Sequence, residues 1–142
     1  MQLPTAKEIN VYDSLDEKEA CKHFLGKNLD EAEALFRENA AYYQEDLMWM
    51  GAVAFRYYVQ AAIRYIESEA AIGDSGIINF FAELLEFRVE HEVKELAPVA
   101  DQLATACRYI IEHFDRFDLT PENYGDVQAR LVALRQAFSQ LL

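Results

Sequence analysis

Apolar positions along this chain recur every three to four residues, the period of one face of an α-helix, and never settle into sustained alternation. Ser14 followed by Glu17 has the spacing of a capping box, so a helix is expected from about Leu15 to Phe24, with Gly26 placed to end it in a left-handed cap. Asn28 and Glu31 repeat the pattern. Leu29, Ala32, Leu35 and Phe36 share a face, which predicts a second helix to about Asn39. The third should run from Ala52 to about Ala71, burying Phe55, Tyr58, Val59, Ala62, Ile63, Ile66 and Ala70 and turning Arg56, Gln60 and Arg64 outward.

Gly73-Asp74-Ser75-Gly76 is a turn with a ready N-cap. The helix after it, about Ser75 to Arg88, carries Ile77, Ile78, Phe80, Phe81, Leu84, Leu85 and Phe87, and so wide an apolar arc marks the most central helix. Pro98 suits a first turn, so a fifth helix is expected from near Ala97 to near Phe114. Thr120-Pro121 opens a last helix reaching Gln140, with a break at Gly125. Residues 1–12 read as an irregular leader. The expected fold is all-α, a single-domain bundle of five to six helices over residues 1–142, packed around the third, fourth and fifth.

The stretch from Ala40 to Met50 fits neither a helix nor a loop cleanly. Tyr42, Tyr43, Trp49 and two Met residues crowd it around Glu45 and Asp46, and Gly51 marks its end.

Composition narrows the class. A chain of 142 residues is one domain by the usual length prior. Leu, Ile, Val and Phe make 40 of the 142, which excludes intrinsic disorder. No apolar run approaches the roughly 18 residues of a membrane span, and Met1 to Asn10 has no signal-peptide pattern. The net charge of −12 is spread along the chain: seven basic against thirteen acidic residues in 1–71, six against twelve in 72–142. Such a surface repels nucleic-acid phosphates and anionic lipid, and favours solubility and a basic partner. Cys21 and Cys107 stand outside any Cys-x-x-Cys pair and read as small buried apolar residues. A cytoplasmic location is expected.

The familiar chemistries do not find their residues. The positions three before His23, His91 and His113 are Ala20, Arg88 and Ile110, so no Glu-x-x-His pair exists for a di-iron bundle. Phosphate-binding glycine motifs, the nucleophile elbow and the EF-hand loop are missing too. Cys21 and His23, two apart on a helix, point apart. Glu83, Glu86, Glu90, Glu92 and Glu95 read as a solvated charge run. His23 and His113 fall at helix ends, where a cation is favourable. No catalytic residue, metal ligand or cofactor is assigned.

What stands out is an aromatic and acidic band. From Phe36 to Tyr65 there are eight aromatic residues, six of them Tyr or Trp, interleaved with Glu38, Glu45 and Asp46. Phe36, Phe55 and Tyr58 fit the core stripes, whereas Tyr42, Tyr43, Trp49 and Tyr57 do not. Tyr and Trp bury large area while keeping a polar tip, which suits interfaces. Tyr42, Tyr43, Glu45, Asp46 and Trp49 are therefore the candidate contacts for a basic protein partner.

The segment Ala54-Phe55-Arg56-Tyr57-Tyr58-Val59-Gln60-Ala61-Ala62, with its Glu45-Asp46-Leu47-Met48-Trp49-Met50-Gly51 lead-in, resembles a stretch of about 25 residues in small uncharacterised bacterial all-helical proteins, with Gln60 where those carry Pro. Some of them act as immunity partners of toxins, so the resemblance implies a binder and assigns no catalytic residue. Three functions follow as expectations. The first is a non-enzymatic cytoplasmic protein-binding module, immunity-like, using the acidic Tyr/Trp surface. The others are a small-ligand binder or enzyme with a pocket between helices, and a homodimer that uses the band on itself.

Overall fold

The structure, a computed structural model, describes residues 2–142; Met1, the first residue of the expected leader, lies outside them. The described residues hold no strand. The α-helices are α1 (Ala6–Ile9), α2 (Leu15–Phe24), α3 (Leu29–Trp49), α4 (Ala52–Glu67), α5 (Ser75–Glu92), α6 (Ala100–Glu112), α7 (Pro121–Tyr124) and α8 (Val127–Ser139). Six of them have ten residues or more. Short 3-10 turns at Glu69–Ala71, Val93–Val99 and Phe114–Phe117 join them. None of the described helices is long and apolar enough to cross a membrane. The chain forms two compact units, one ending at Tyr65 and one beginning at Ile66.

In the first unit the leader is not irregular throughout. Thr5 caps α1 by accepting from the Glu8 N–H while the Glu8 carboxylate accepts from the Thr5 N–H, the same capping box that starts α2 and α3. Gly51 separates α3 from α4, and a Cβ there would collide with the Glu8 carbonyl oxygen and Val11 Cγ2. Only a glycine lets α1 lie that close, and the Gly51 N–H donates to the Ile9 carbonyl at 3.0 Å. Ile9, Phe24, Phe36, Leu47, Met50, Phe55 and Tyr58 are buried. The Tyr58 hydroxyl lies 2.7 Å from the Phe24 carbonyl and 2.9 Å from the Lys27 carbonyl and shares its one proton between them, tying α4 to the turn after α2. Burial pushes that phenol up to about 12.

In the second unit α5 buries Ile77, Ile78, Phe80, Phe81, Ala82, Leu84 and Leu85, in keeping with its wide arc. It continues beyond Arg88 to Glu92. Pro98 lies inside the following 3-10 turn, so α6 starts at Ala100 instead of Ala97. The third predicted helix likewise stops early, at Glu67, because Ser68 is extended. Leu131, Leu134 and Phe138 of α8 pack with α6 and α5, and Arg130 of α8 grips Glu86 of α5 through Nε (3.0 Å to Oε2) and Nη2 (2.5 Å to Oε1). Cys107 is buried, and burial pushes its thiol up to about 12. Cys21 corrects the expectation: it is half-buried, with Sγ 3.5 Å from the Ala6 carbonyl.

Candidate functional site

The unassigned stretch Ala40–Met50 proves helical, and this decides how the candidate residues are arranged. Asn39 leaves helical geometry (φ −161, ψ 80), and its Oδ1 accepts from the Tyr42 N–H at 3.2 Å. That is N-cap chemistry in the middle of α3: Asn39 ends one helical segment and starts the next. From it the chain runs helically to Trp49. Tyr42, Glu45 and Trp49 then stand at i, i+3 and i+7, one stripe of one face. All three are exposed, Tyr42 at 53% and Trp49 at 40%. Leu47 and Met50 lie on the other side and are buried.

Asp46 goes with the inner set. It is only 6% exposed, so it cannot meet a partner as an outward carboxylate. Its Oδ2 pairs instead with Nδ1 of His23, in the last turn of α2, at 2.7 Å. Burial raises the Asp46 pKa; the hydrogen bond and charge of His23 oppose the rise, and Glu19 and Glu45 add to it. The other ring nitrogen of His23 lies 3.3 Å from the Tyr42 hydroxyl and 3.7 Å from the Glu19 carboxylate. Tyr43 is half-buried, edge-on to His23 at 5.2 Å, to Tyr42 at 4.9 Å and to Phe24 at 6.5 Å. Burial, with Glu38 and the neighbouring Tyr42 and Asp46 adding to it, raises its phenol pKa. Tyr57 is a core residue, edge-on to Tyr58 at 4.9 Å.

Five candidates therefore resolve into three layers: an outward stripe of Tyr42, Glu45 and Trp49, a half-buried Tyr43, and a buried Asp46 that holds His23. Sequence reasoning missed His23 as a member. An acidic residue and a histidine 23 positions apart carry no local signal, and they meet only because α2 and α3 pack together. The pair fixes the imidazole as a carboxylate does in acid–base sites, but the second nitrogen faces the Tyr42 hydroxyl. The described residues contain no group of three or more His, Cys, Asp or Glu placed to hold a metal. A groove of about 480 Å³ in the second unit is lined by Ile111, Val132, Arg135, Gln136, Ser139 and Gln140, a set without a carboxylate, histidine or cysteine.

No family model matches the chain, and neither a curated protein nor a solved structure matches it.

Proposed function

We propose that the protein is a cytoplasmic binding module that recognises a basic protein through the outward stripe of α3, in the manner of a toxin-immunity partner. The observation that carries this reading is the stripe itself: two large aromatic side chains with polar tips and one carboxylate, exposed in register on a helix seated on a packed unit. The net charge of −12 steers a cationic partner towards such a surface. Glu45 then serves encounter, and Tyr42 and Trp49 supply short-range contact. Asp46 and His23 act from beneath, positioning Tyr42.

The test is affinity capture of a partner from a bacterial lysate, followed by binding measurements on variants. Trp49→Ala, shown first by circular dichroism and a melt to be folded, is expected to speed dissociation at least tenfold. A folded Trp49→Ala variant that binds the captured partner as tightly as wild type contradicts the reading.

A further inference from the structure

Among the described residues of the first unit, the most exposed large apolar side chains are not those of that stripe but two at the junction of α1 and α2. Tyr12 is 86% exposed and Leu15, the first residue of α2, 81%. Single exposed apolar residues are ordinary on any surface. These two sit three positions apart on a loop held by four hydrogen bonds to one carboxylate. Glu17, buried, accepts from the N–H groups of Val11 (2.7 Å), Tyr12 (3.0 Å) and Ser14 (3.1 Å) and from the Ser14 hydroxyl (2.7 Å). Asp13, between the two, takes a left-handed backbone (φ 58) that non-glycine residues seldom adopt. A buried carboxylate thus fixes the backbone that carries two exposed apolar side chains. A backbone fixed before contact loses no further freedom on binding.

Charge defines the complement. Asp13, between the two, and Asp16, next to Leu15, are exposed; Lys18 lies 3.5 Å from Asp13. The geometry points to a second docking element: Tyr12 and Leu15 form a preformed knob for a partner protein that carries an apolar cleft rimmed by Lys or Arg. A second copy of this chain would bring Asp13 and Asp16 against their equivalents across a two-fold axis, like charge on like. An anionic lipid surface meets the same repulsion. The inference stands on residues separate from the α3 stripe, so either surface can fail without the other.

The test is site-directed photo-crosslinking in a bacterial lysate, with p-benzoylphenylalanine at position 12, at position 15 and, as control, at the exposed position Thr105. Expected are adducts with one basic protein from positions 12 and 15 and none from 105. That protein, purified, should bind Tyr12→Ser/Leu15→Ser at least tenfold more weakly than wild type, and Asp13→Lys/Asp16→Lys should cut the adduct yield at least tenfold. Both variants should keep the wild-type circular dichroism; the Tm of Tyr12→Ser/Leu15→Ser should stay at the wild-type value, and that of Asp13→Lys/Asp16→Lys should fall by a few degrees through loss of the Lys18 ion pair and of a first-turn carboxylate of α2. Trp49→Ala is assayed alongside, so a loss confined to it supports the stripe and overturns the knob. The inference is also overturned by equal binding of the Tyr12/Leu15 variant, by an adduct with a second copy or with acidic phospholipid vesicles, or by no adduct at all.

Discussion

Two carboxylates in the first unit are buried to a similar degree, yet folding moves their pKa values in opposite directions. Burial alone raises both. At Glu17 the hydrogen bonds outweigh it: the Ser14 hydroxyl and the backbone of Tyr12, Ser14 and Val11 leave the net value lowered. At Asp46 one imidazole opposes burial, Glu19 and Glu45 reinforce it, and the net value is raised. The donors aimed at the charge, set against its desolvation and its acidic neighbours, decide the sign. The two regions therefore do different work. The α1–α2 loop is anchored on a carboxylate that four donors meet. The α2–α3 crossing is held by a carboxylate whose charge is only partly compensated.

The largest difference should appear on deletion. Glu17→Ala strips three backbone N–H groups and a hydroxyl of their acceptor at once, and should cost about 3 kcal/mol in a urea titration. Asp46→Ala removes one bond and also relieves a desolvated charge, and should cost only about 1–2 kcal/mol. Equal losses would mean that donor count does not distinguish the sites.

The pH dependences should run in opposite directions. For Glu17 the folded pKa is lowered, so its contribution is present above the ordinary value of 4.5 and is lost as pH falls through the folded value. For Asp46 it is raised, so its contribution is complete below the ordinary value of 3.8 and declines as pH rises through the folded value. Wild-type stability relative to Glu17→Gln should therefore shrink in acid, and relative to Asp46→Asn should grow. Unfolding measured from about pH 3 to about pH 7 on all three proteins checks the crossing of the two trends. The smallest effect belongs to Tyr42→Phe, which removes only the half-exposed hydroxyl facing His23. Its cost should stay below about 0.5 kcal/mol in the same titration.

How far the sequence foretold this structure depends on whether each signal was local. Ser14/Glu17 and Asn28/Glu31 set helix starts within a few residues, and α2 and α3 begin where those pairs place them. The arc of α5 is a property of one helix and reads directly as burial. The Thr5/Glu8 box is the same signal, hidden because Pro4 and a short apolar content made the leader look irregular. Asn39 caps without a Glu or Gln three residues on, so Ala40–Trp49 lacked its usual marker and its faces could not be assigned. Without those faces Asp46 looked like Glu45. Its pairing with His23 is a tertiary fact that no spacing encodes.

Glu45 and Asp46, adjacent in sequence, differ in exposure and in function: one is open to solvent and the other is buried against His23. The most direct measurement is the association rate of the captured basic partner with Glu45→Ala and with Asp46→Asn, from low to high salt. Glu45→Ala is expected to slow association and to flatten its salt dependence. Asp46→Asn should leave both near wild type while shifting only stability. A slowing as large for Asp46→Asn as for Glu45→Ala, or none for Glu45→Ala, would contradict that difference in function.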